Sequence, residues 1–104
     1  MDVVGTRPHG WFLLSEGDRL FLDINCDHNA FGYSVLLELS PEEREDFETR
    51  GRIALDELAE AVQYSAPAAR ESRSPYRERD LEKVRGSEVS EAVDRWRRTQ
   101  GGGS

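Results

Sequence analysis

The chain has 104 residues, of which 37% are hydrophobic and 34% charged, and its formal net charge is -7. That length supports one domain with a single modest core, and no stretch nears the roughly 20 apolar residues needed to cross a bilayer. The acidic balance argues against non-specific nucleic-acid binding, which needs a basic footprint.

The charge is unevenly spread. Residues 1–37 carry five acids and two bases, residues 38–60 nine acids and three bases, and residues 61–104 seven acids and nine bases. Thirteen of the fourteen bases are arginine. An acidic body with a weakly basic tail suits a cationic protein partner, or simply solubility. The stretch "MDVVGTRPHGWFLL" has no basic n-region and only a short apolar run, so no signal peptide is expected. The single cysteine, Cys26, cannot form an intrachain disulfide. A cytoplasmic location is the expectation.

In chain order, "GWFLL" (10–14), "RLFLDINC" (19–26) and "FGYSVLLEL" (31–39) read as three antiparallel strands joined by "SEGD" (15–18) and "DHNA" (27–30). Period-2 alternation puts Leu20, Leu22, Ile24 and Cys26 on one face of the second strand, and Phe31, Tyr33, Val35, Leu37 and Leu39 on one face of the third. Setting Cys26 opposite Phe31 pairs Ile24 with Tyr33, Leu22 with Val35 and Leu20 with Leu37. On the other face it pairs Asp23 with Ser34, Phe21 with Leu36, and Arg19 with Glu38 as opposite charges. Carried into the first strand, the register sets Trp11 against Leu22 and Phe12 against Phe21.

"SPEE" (40–43) is a helix start, with Ser40 as N-cap, Pro41 at the first helical position and Glu43 closing a capping box. The following stripe, Phe47, Gly51, Leu55, Leu58 and Val62 with Ala54 and Ala59, predicts one long helix. Gly51 either breaks that helix or lets it lie close on the sheet. "APAARESRSPYRER" (66–79) reads as an extended arginine-rich connector. "SEVSEAVDRWRR" (87–98) predicts a second helix capped by Ser87, with Val89, Ala92, Val93 and Trp96 on one side. The terminal "GGGS" (101–104) has flexible-linker composition and is set apart from the fold.

The expected fold class is therefore α+β, a single domain over 1–100. A three-stranded meander carries one long helix packed on it and a C-terminal amphipathic helix. The long helix covers the Leu22, Ile24 and Val35 face. The row Phe12, Phe21 and Leu36 on the other face needs cover from the C-terminal helix or from a second chain, a homodimer included.

There is no Gly-rich phosphate loop, CxxC pair, HExxH or G-x-S-x-G elbow. Cys26 lies in line with Ile24 and Leu22, where a free cysteine behaves as a small hydrophobe. A nucleophilic cysteine needs an electropositive, partly exposed setting instead. His28 reads as a turn residue, and no second Cys/His cluster completes a metal site. His9 stands near the start of the first strand. Neither enzyme activity nor a cofactor is expected. The partner-contact candidates are acidic: Asp23 and Asp27 on the sheet, with His28 beside them, and Glu42, Glu45, Asp46, Asp56 and Glu60 on the long helix.

The stretches "LDINCDHNAFGYSVLLELSPEE" (22–43) and "GRIALDELAEAVQYSAP" (51–67) resemble small acidic immunity proteins of bacterial toxin systems, over roughly residues 10–67. Such proteins share no universal residues, so none is carried over. The resemblance implies a bacterial cytoplasmic inhibitor that binds and blocks a cognate toxin domain by presenting acidic side chains to its basic site. Other classes stay open: a structural or adaptor domain, with homodimerisation through the sheet face among its forms, and a small enzyme or ligand-binding module built on His28, Asp23 and Asp27.

Overall fold

The computed structural model describes residues 1–7, 10–28, 31–65, 76 and 78–102, with the backbone alone at 26–28, 31–33, 65 and 100–102. Four strands form one antiparallel sheet in sequential order: β1 (Asp2–Arg7), β2 (Trp11–Glu16), β3 (Arg19–His28) and β4 (Phe31–Glu38). Helices α1 (Pro41–Arg50) and α2 (Arg52–Ser65) serve one face, and α3 (Glu82–Gly102) the other. The α+β class holds, with the sheet as the middle of three layers.

Both faces of the sheet are buried, which is why its central strands read as apolar runs rather than clean alternations. On the α1–α2 side, Trp11, Leu13, Leu22, Ile24, Val35, Leu37 and Leu39 pack with Leu55, Ala59 and Val62. On the α3 side, Leu14, Phe21 and Leu36 pack with Val89, Ala92 and Val93, and Phe12 leans on that cluster. The Phe12 ring meets the Trp96 ring edge-on at 5.6 Å. The row expected to need cover is thus covered within the chain, by the C-terminal helix, one of the two covers expected.

The register differs from expectation by two residues in both hairpins. Ile24 faces Val35, Leu22 faces Leu37, Cys26 faces Tyr33 and His28 faces Phe31. Asp23 pairs with Leu36 and Phe21 with Glu38. In the first hairpin Trp11 pairs with Ile24, Phe12 with Asp23 and Leu13 with Leu22. A shift of two leaves every side chain on its own face, so facial pattern alone cannot detect it; the loop length decides. β2 and β3 are joined by Gly17 and Asp18 alone, with Gly17 at φ 59°, the left-handed conformation that a two-residue turn demands. The Arg19–Glu38 pair survives as a diagonal contact at 2.7 Å.

The backbone of Asp27 and His28 belongs to β3, not to a loop. Asn29 and Ala30 lie outside the described residues, as do His9, residues 66–75 and 77 of the connector, and the side chain of Cys26. β1 was not expected. It has few apolar residues and an irregular register in which Val3 faces Leu14 and Gly5 faces Leu13, leaving Val4 bulged and 56% exposed.

The long helix is two helices. Ser40 and Glu43 form the expected capping box on α1. Gly51 then breaks the run at φ 70°, ψ -144°, and its N–H donates to the Phe47 carbonyl. α3 begins at Glu82 rather than Ser87, because Asp80 supplies its start. One Asp80 carboxylate oxygen accepts from the backbone N–H groups of Glu82 and Leu36, both at 3.0 Å. Leu81 N–H returns a bond to the Leu36 carbonyl. Arg79 donates to the Glu38 carbonyl and clasps the Glu43 carboxylate. Residues 79–81 thus close the outer edge of β4.

Candidate functional site

The eight sequence candidates do not form one surface. Asp23 points to the α3 side of the sheet, while Glu42, Glu45, Asp46, Asp56 and Glu60 belong to the helical layer on the opposite side. Asp27 and His28 lie at the end of β3, and their side chains lie outside the described residues.

Within the helical layer the acids divide into two kinds. Asp56 is consumed by the fold: Arg7 donates to both its oxygens, at 2.5 and 2.7 Å, and the Trp11 indole N–H donates at 2.9 Å. The Arg7 bond, with the Trp11 bond behind it, holds the Asp56 carboxyl below its ordinary range. Asp46 is forked by Arg50, which also reaches Glu57 and so ties α1 to α2. Glu42, Glu45 and Glu60 are exposed and make no ion pair among the described residues. Glu48, which was not singled out from the sequence, joins them.

Two apolar side chains of α2, the helix that carries Glu60, are exposed as well. Ile53 is 61% exposed and Tyr64 93% exposed. Spacings of four, three and four residues put Ile53, Glu57, Glu60 and Tyr64 on one outward stripe of α2. A furrow of about 210 Å³ between α1 and α2 is lined by Asp46, Glu57 and Leu58 among others. Of this stripe the sequence reading singles out Glu60, while the 3.6-residue spacing itself is marked by the apolar residues on the inward side of the helix. Such a surface can hold a cationic group against carboxylates while an aromatic ring packs on apolar carbon.

A second hollow, of about 570 Å³, lies between the sheet and α3, lined by Thr6, Phe12, Asp23, Glu82, Trp96 and Arg97 among others. Asp23 enters from β3 and Glu82 from the first turn of α3. Glu82 has its place partly because Gly86, one turn on, lacks a side chain: a Cβ there would stand 2.8 Å from a Glu82 carboxylate oxygen. Asp23 Oδ1 and Glu82 Oε2 are each sealed from solvent without a hydrogen-bond partner. Burial, then the charges of Glu82 and Asp80, push the Asp23 carboxyl up to about 7. Burial, then Asp80, raises Glu82 as well. The expected rim acid Asp23 is therefore half-buried beneath α3, with one oxygen sealed, because α3 starts a turn earlier than its apolar pattern indicates. No group of three or more potential metal ligands occurs among the described residues. Comparison with protein-family models, with curated proteins and with solved structures returned no match.

Proposed function

We propose that the protein is a small acidic binding protein of the immunity type, which neutralises a cationic partner, a cognate bacterial toxin domain, by covering its basic site. The observation that carries this reading is the exposed side of α1 and α2: Glu42, Glu45, Glu48 and Glu60 make no ion pair among the described residues, and Glu60 shares an outward stripe of α2 with exposed Ile53 and Tyr64. Several other acids are neutralised by arginine forks, as at Asp56, Glu38 and Glu43. Carboxylates left without such forks are available to a partner's cations. Charge brings the two proteins together quickly, and a desolvated aromatic anchor slows their separation. Tyr64 fills the anchor role and the glutamates the steering role.

The test is a survival assay with a paired rate measurement. The toxin candidate is the product of the reading frame beside this one, expressed in cells with and without this chain. Co-expression should restore growth, and Tyr64→Ala should abolish the rescue with the fold intact. With the purified pair, Glu42→Lys combined with Glu45→Lys should slow association by about tenfold or more at low salt. The same change should weaken the salt dependence and alter dissociation less. Association that is flat in ionic strength would falsify the electrostatic reading and favour an adaptor that docks through apolar contact.

A further inference from the structure

The seam between the sheet and α3 holds two carboxyls and, among the described residues, no base bound to either. Asp23 approaches from β3 and Glu82 from α3, each with one oxygen sealed and unpartnered. The charged groups around them come from α3 and its leader: Asp80, Asp94 and Arg97. The neighbours from the strands, Thr6, Phe12, Ser34 and Leu36, are uncharged. Arg97 lines the hollow but makes no ion pair among the described residues, and Arg85 is committed to Glu16 and Glu88.

From this geometry we infer that Asp23 and Glu82 form a proton-operated latch, which holds α3 closed on the Phe12–Phe21–Leu36 row when protonated and loosens it when ionised. A protonated carboxyl is a neutral group that needs no counter-charge, and it brings the O–H donor that the sealed oxygens lack. Two carboxylates in the same half-buried seam, with Asp80 behind them, repel each other where burial weakens screening by water. Opening α3 hydrates both and relieves the repulsion. The sign follows from the direction of the shift. Asp23 holds its proton more tightly closed, to about 7, than its ordinary value of 3.8 once open. Closure is therefore strongest below the ordinary value, weakens as pH rises, and is weakest above about 7. The release would uncover an apolar row on the face opposite the acidic stripe of α2, so the latch stands independently of the partner reading.

Native-state hydrogen exchange tests it, with rates corrected for the pH dependence of free amides. Between about pH 5 and pH 8, protection of α3 amides around Val89–Val93 should fall by on the order of tenfold or more. At the higher pH these amides should also be less protected than those of β2 and β3, because α3 opens as a unit. Asp23→Asn should lessen the fall, and Asp23→Asn with Glu82→Gln should abolish it. Should Asp23→Asn not fold by circular dichroism, Glu82→Gln alone carries the comparison and should also lessen the fall. The latch is overturned by unchanged α3 protection across that range, by α3 amides as protected as the strands at high pH, or by a full fall in the neutralised variants.

Discussion

At the scale of single residues, Gly51 has the clearest consequence. Inside a continuous helix a Gly→Ala change stabilises by roughly 1 kcal/mol. Here Gly51 stands at φ 70°, ψ -144°, with open space where a Cβ would go, so any cost to alanine is a backbone cost. Gly51→Ala should therefore destabilise by about 1–2 kcal/mol, the opposite sign, in urea unfolding. Stabilisation by that substitution would mean that α1 and α2 run on as one helix. The glycine was visible in the sequence as either a break or a close approach. Its open surroundings decide for the break.

Among the elements, the least legible feature is the join between β4 and α3. The apolar stripe at Val89, Ala92, Val93 and Trp96 identified α3 and the row it covers, because facial periodicity survives any register. Its first turn carries no such stripe, since Glu82, Lys83 and Arg85 are charged, and so it was missed. The pairing of the strands was misjudged by two residues for a related reason, that parity is conserved and only turn length breaks the tie. The outward stripe of α2 was half legible: Glu60 stood out as an acid, while Ile53 and Tyr64 lie opposite the apolar side whose period marks the helix. The Asp80 contacts give the join a measurable strength. Asp80→Ala leaves the N–H groups of Leu36 and Glu82 without their acceptor, and should cost about 1–2 kcal/mol. Asp80→Asn keeps an acceptor and should cost less. Urea titration near pH 5 checks this with Asp23 largely protonated in the folded chain, so that the Asp80 charge does little to it.

For the whole molecule, opposing sets of carboxyls predict where stability peaks. Asp56 and Glu43 are held below their ordinary values. Arg7 and then Trp11 do so for Asp56; for Glu43, burial works the other way but is outweighed by the Arg79 and Ser40 bonds together. Groups lowered in the fold contribute stability that is present above their ordinary values, 3.8 and 4.5, and lost as pH falls through the folded ones. Asp23 is raised, so its contribution is present below 3.8 and lost as pH climbs to about 7. The two trends cross at mildly acidic pH. Thermal unfolding should show a maximum near about pH 5, with a decline of a few kcal/mol toward neutrality that Asp23→Asn flattens. A curve still rising from pH 5 to pH 7 would contradict the position of Asp23 beneath α3.

The order of the layers along the chain also bears on how the protein is made. β1 to α2 lie within residues 2–65 and contain one complete helix–sheet interface, whereas the opposite face waits for α3, at residues 82–102. At ribosomal speed the 37 residues from 66 to 102 take roughly 2–7 s to synthesise. Through that interval a nascent chain whose first half has already folded displays Phe12, Phe21 and Leu36 bare to solvent. Nascent-chain complexes stalled before α3 emerges should therefore bind a hydrophobic-surface chaperone, and those stalled after it should let go.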